Sequence, residues 1–152
     1  MRKLYTIGYE HAGQLALLRT LKAVGVEKLI DVRELPNSRR AGFSKKALTA
    51  SLGAEGISYA HLRALGTPKE GRQANRRRDW ATFWSIVDAQ LATPQAVEAF
   101  ADAASMARAA PSCLLCLEAD HTNCHRARVA DELARRYGFE VEHLKVEGSS
   151  IV

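Results

Sequence analysis

The chain is poor in cysteine (three), proline (four) and aromatic residues (7%), and each scarcity narrows what it can be. An odd number of cysteines with one close pair does not make a secreted disulfide framework. The thiols are instead candidates for metal binding or thiol chemistry. No apolar run approaches the roughly 20 residues that a membrane-spanning helix needs. Met1-Arg2-Lys3 leads straight into a strand pattern rather than a signal peptide. The expectation is a soluble, cytoplasmic protein with no membrane partner. Internal repeats, low-complexity tracts and linker-like stretches are also missing, so residues 1–152 read as a single domain.

What is present suits a packed core: 47% of residues are hydrophobic and 26% are charged, with the two kinds interspersed. The formal charge is +5, and much of the excess is local, at Arg39–Arg40, Lys45–Lys46 and the run from Arg72 to Arg78. Such a balance suits a polyanion or a phosphorylated small molecule. The competing reading is a solubilising surface.

Leu4 to Tyr9, Lys28 to Val32, Ile57 to Leu62, Cys113 to Leu117 and Glu140 to Val146 have the look of short strands. Helical spacing runs from Leu15 to Val24, from Ser44 to Gly53, from Trp80 to Leu91 and from Thr93 to Pro111. A last helix follows Thr122 or Asn123 as N-cap and stops at Gly138, with Ala127, Ala130, Leu133, Ala134 and Tyr137 as its apolar stripe. Gly66 to Asp79 has no apolar periodicity and is expected to be a mobile basic loop. The alternation predicts an α/β fold, a mostly parallel central sheet of about five strands with helices on both faces.

In such sheets ligands bind outside the carboxyl ends of the strands. The residues there are Gly8-Tyr9-Glu10, Asp31 and Arg33, His61, and Cys116 with Glu118, beside the helix start Cys124-His125-Arg126. Cys113, Cys116, Cys124 and His125 suggest zinc at first sight. Strand alternation, however, turns Cys113 away from Cys116, which leaves a smaller metal site from Cys116, Glu118, Cys124 and a histidine such as His125. A second reading is a reactive thiol at Cys124, favoured by the helix N-terminus and Arg126, with simple packing as the alternative. A third gives acid–base work to Glu10, Asp31 and Glu118; the alternative is that Asp31 and Glu118 are ion-pair partners of Arg33 and Arg126 that hold loops in place, the better reading for Asp31. Trp80 and Trp84 are stacking surface for bases, or ordinary helix cover.

TIGYE, DVRELPNS, GISYAHLRALG and LLCLEADHTNCHR, in that order, resemble the domain of unknown function 488 family over nearly the whole chain. The resemblance implies an α/β fold and marks Tyr9, Asp31, Arg33, Ser38, Tyr59, Cys116, Glu118, Cys124, His125 and Arg126 among others, without implying a reaction. LIDVRE and the Tyr137-Gly138-Phe139 turn echo rhodanese-like domains more faintly. Leu117-Glu118 stands where their cysteine loop begins, and Cys124 does not continue into the cysteine-x5-arginine loop of tyrosine phosphatases.

The expected function is an enzyme or enzyme-like domain acting on a phosphate-containing substrate, nucleic acid or nucleotide. Glu118, Cys124 and Glu10 are the candidate catalytic residues. Arg33, Arg126, Tyr9, His125, Ser38 and the cluster Arg76, Arg77 and Arg78 are candidate phosphate contacts. No cofactor is implied, and a metal at Cys116, Cys124 and His125 stays open. The alternative is a non-catalytic nucleic-acid-binding module using the basic loop 66–79.

Overall fold

Hydrophobic runs too short for helices become the strands of one sheet: β1 Lys3–Gly8, β2 Lys28–Asp31, β3 Ser58–His61, β4 Ser112–Cys116 and β5 Glu140–Leu144. This computed structural model describes residues 2–38 and 40–146; Arg39 and the tail after Val146 lie outside the described residues. The five strands are all parallel, in the order β3-β2-β4-β1-β5. The expected α/β fold is the observed one.

Crossovers cover both faces. Helices α1 (Gln14–Ala23) and α2 (Lys45–Ala54) bury Leu17, Leu21, Leu48 and Leu52 against Ile7, Leu29, Cys113 and Leu115. Ser44 caps α2 by accepting from the Ala47 N–H at 3.5 Å, and Phe43 and Leu48 are buried in the same cluster, as the staple pattern predicts. On the other face α5 (Pro94–Ala109) and α6 (His125–Tyr137) pack Phe100, Ala103, Val129 and Leu133 against Leu4, Ile30, Leu114 and Cys116. Among the described residues no helix is long and apolar enough to cross a membrane.

Two expectations fail. Lys69–Arg76 is a helix, α3, not a mobile loop. Its inward face is only Gly71 and Ala74, too small to register as apolar periodicity. It nonetheless docks on α4 (Trp80–Leu91), where Ala74 joins Phe83 and Val87. A Cβ on Gly71 would come within 2.5 Å of the Thr67 side chain and 3.1 Å of Ile86, so the bare backbone permits this approach. The second concerns α6: His121–Asn123 forms a separate 3₁₀ turn, and Cys124 itself is the N-cap. The stripe accordingly turns toward Val129 rather than Ala127, with His125 and Arg126 buried beside it.

Candidate functional site

The crossover from β1 runs toward β2 and that from β4 toward β5, so the chain leaves two adjacent strands in opposite directions. The crevice outside such a pair is where ligands bind in open parallel sheets. Pairing continues past the strand ends: Tyr9 N–H donates to the Cys116 carbonyl at 3.2 Å and Glu10 N–H to that of Leu117 at 2.7 Å. A cavity of about 380 Å³ opens here, lined by Tyr9, Glu10, Arg33, Cys116, Glu118 and His125 from the sheet and by Thr67, Arg72, Asn75 and Arg76 from around α3. A more polar neighbour shares Glu10, Asn75, Arg76 and Glu118 and adds Arg78, Trp80, Asp120 and Asn123.

Close approach at Gly8 sets the position of the Glu118 loop. A Cβ on Gly8 would lie 1.8 Å from the Glu118 carbonyl oxygen, so only glycine lets that loop fold over the end of β1. Arg126 holds it there from beneath. The guanidinium donates to the Glu118 carbonyl, to the Ala119 carbonyl at 3.3 Å and to Thr6 Oγ1 at 3.2 Å. Glu10 adds a tie from above, its Oε1 accepting from the Ala119 N–H at 3.2 Å. Arg126 is completely buried and has no carboxylate partner among the described residues.

Three further buried groups meet beside it. The His125 Nδ1 lies 3.5 Å from Cys116 Sγ and 3.9 Å from Cys124 Sγ, while Nε2 is 2.7 Å from the Val32 carbonyl. Glu118 Oε2 accepts from Cys116 Sγ at 3.7 Å. Burial pushes the Glu118 carboxyl up to about 8, and negative charge at Cys124 adds to the rise. Burial by itself would raise the Cys124 thiol, but the hydrogen bond from Cys116, the His125 cation and Arg126 outweigh it and hold it well below its ordinary value. Cys116 goes the other way, raised by its bond to Cys124 and then by burial. Burial would lower His125, yet the Cys124 thiolate and the Val32 carbonyl leave it raised. Cys113 is on the opposite face, raised by burial. The trio Cys116, Cys124 and His125 could hold a metal ion: its donor atoms all lie within 4.8 Å of one another.

The sequence-predicted residues divide. Glu10, Tyr9, Arg33, Glu118, His125 and Arg76 line the first cavity and Arg78 the second. Cys124 and Arg126 contribute no surface: both are wholly buried behind it, so their expected place on the cavity wall is corrected. Ser38 faces neither cavity and instead accepts from the Arg40 N–H at 3.1 Å in its own turn. Arg77 is the exposed C-cap of α3 and lines neither.

Arg33 lines the cavity, but its donors are held by the fold. Its guanidinium reaches Asp31 Oδ1 at 2.9 Å and Oδ2 at 2.7 Å, the Phe43 carbonyl at 2.7 Å and the Tyr9 hydroxyl at 3.2 Å. Tyr59 donates to the same Asp31 at 2.5 Å, which, after burial, raises its pKa. Sequence reasoning missed Thr67, Arg72 and Asn75. With α3 recognised as a helix, the Arg72–Arg76 spacing would have placed two arginines on one face. Arg72 pairs with Glu34 at 2.5 Å, and Asn75 donates to the Asn123 carbonyl at 2.9 Å, which ties α3 to the cysteine loop.

The family model described as "Domain of unknown function DUF488" matches residues 13–133. The chain belongs to the DUF488 family. That match takes in β2, the cysteine loop and most of α6, while β1 with Tyr9 and Glu10 falls outside it. The DUF488 name brings no reaction with it. No curated protein and no solved structure matches the chain significantly.

Proposed function

We propose that this DUF488 protein is an enzyme acting by acid–base chemistry on a phosphate-containing substrate of nucleotide size, bound at the β1–β4 switch point. The observation that carries the reading is the pair of opposed walls. Arg76 and Arg78 border the cleft from the α3–α4 turn, while Glu10 and Glu118 border it from the sheet. Cations on one side suit a phosphate, and two carboxyl groups in unlike surroundings, one half-exposed and one mostly buried, suit an acid and a base. Trp80 beside Arg78 offers a ring face to a base. Thr67, on the cavity wall, has a buried hydroxyl oxygen without a hydrogen-bond partner among the described residues, a group that a ligand would satisfy. Cations that border a cleft on an ordered helix end rather than lie along an open loop favour this over the binding-module reading.

The test is turnover of a panel of nucleotides and short oligonucleotides by the full chain. Glu118→Gln should lower kcat by about 10²–10⁴-fold, the range expected for a positioned acid or base. Arg76→Gln should raise KM, and Arg77→Gln should change neither constant. Salt-sensitive binding without turnover, indifferent to Glu118→Gln, would replace the enzyme with a binding module.

A further inference from the structure

The buried trio behind the cavity has the layout of an open metal centre, and we infer that Cys116, Cys124 and His125 bind a zinc-class divalent cation whose fourth position faces the cavity. The proposal goes beyond the substrate reading and does not depend on it. Three observations carry it. First, the spacing fits. Tetrahedral zinc, with Zn–S about 2.3 Å and Zn–N about 2.0 Å, sets its ligand atoms roughly 3.5–3.8 Å apart. The His125 Nδ1 lies 3.5 Å and 3.9 Å from the two sulfurs, and all three ligand atoms lie within 4.8 Å of one another.

Second, the imidazole has one nitrogen engaged by the backbone and the other nearer the two sulfurs. Its Nε2 lies 2.7 Å from the Val32 carbonyl, which can only accept, so Nε2 carries a hydrogen and Nδ1 is left as the ligand atom, at 3.5 Å from Cys116 Sγ against 4.0 Å for Nε2. A ring N–H fixed on a carbonyl is the usual outer support of a metal-bound histidine. Third, the opening is one-sided. Cys116 and His125 reach the cavity wall and Cys124 closes the site from behind, so three protein ligands leave the cavity side free. Glu118 stands at that opening, with Oε2 3.7 Å from Cys116 Sγ. Zinc sites with three protein ligands and one open position are those that do chemistry. Metal binding releases the protons these ligands otherwise hold.

The experiment uses the full chain, reduced, stripped of metal and titrated with Co(II), with no substrate present. The expected result is one cobalt per chain, with the intense ligand-field bands of a tetrahedral site and a thiolate-to-cobalt charge-transfer band, all bleached by Zn(II). Cys116→Ala and His125→Ala should each weaken cobalt binding by more than the roughly 10–100-fold that outer partners cost. Cys113→Ala, on the opposite face of the sheet, should leave the spectrum unchanged. If an alanine variant does not fold, Cys116→Ser keeps the shape and should halve the charge-transfer intensity. Absence of that band in the folded wild type, or its persistence at full intensity in Cys116→Ser, overturns the proposal. A positive spectrum stands whether or not any nucleotide is turned over.

Discussion

The ends of β2 and β4 each bury an arginine, and the two arginines live in opposite circumstances. At the end of β2 every strong group has an answer. Asp31 takes Arg33 and Tyr59, Arg33 also takes Phe43 and Tyr9, and the Arg33 carbonyl lies 2.7 Å from His61 Nε2. At the end of β4 there is a surplus. Among the described residues Arg126 has only hydroxyl and carbonyl partners, two thiols crowd one imidazole, and a carboxyl is buried beside them. A closed circuit of donors and acceptors holds a fold together, whereas a surplus that folding leaves uncancelled is where a ligand has something to gain.

The comparison breaks if the β2 knot is dispensable. Asp31→Ala leaves Arg33 buried and unpaired and is expected to cost about 3–5 kcal/mol, read from urea denaturation. A loss under about 1 kcal/mol would place Arg33 among the surface-like pairs. Next in size is Gly8→Ala, where the new methyl must displace the Glu118 carbonyl. Overpacking of this kind costs about 1–3 kcal/mol, and the variant should lose cobalt binding and turnover well before it loses its fold.

A smaller effect has the opposite sign. Arg78 holds a left-handed φ of 59° at the α3–α4 turn, a conformation that favours glycine. Arg78→Gly should stabilise the fold by up to about 1 kcal/mol while weakening phosphate binding. Should stability fall instead, the strain at Arg78 is not held for function. The smallest concerns the back of the β4 end, where Thr6 Oγ1 accepts from Arg126 Nε and lies 2.6 Å from His143 Nδ1. Burial, then the charges of His121 and Arg126, lower the His143 pKa; Asp131 and Cys124 oppose them only in part. A folded pKa below the unfolded value contributes stability that is present above about 6.5 and is lost as pH falls through the folded pKa. The stability of the wild type relative to His143→Gln, read from urea midpoints, should therefore decline modestly between pH 7 and pH 5, whatever the opposite-signed contributions of Glu118 and His125 add to both proteins.

Much of this was legible before any coordinates. Apolar runs and glycine stops predicted five strands, and alternation alone separated Cys113 from Cys116. The carboxyl-edge rule brought Glu10, Arg33 and Glu118 to one cavity. Helix α3 escaped because its buried face is glycine and alanine, which carry almost no hydrophobic signal. The depth of Arg126 escaped as well, since a basic residue in a first helical turn suggests an exposed anion site. Only the loop folding back over Gly8 reveals that its partners are carbonyls.

The strand order also governs when the site can exist. Among the described residues β1 pairs with β4 and β5 alone, so Leu4 waits for Ser112 and Val141. At ribosomal speeds of about 5–20 residues per second, roughly 5–20 s separate the emergence of β1 from that of β4. Through that interval β1 is an apolar segment with no edge to join, a natural client for chaperones. The loop of residues 117–123, seated on Gly8 and pinned from α6, cannot take its place before both β1 and α6 are in position.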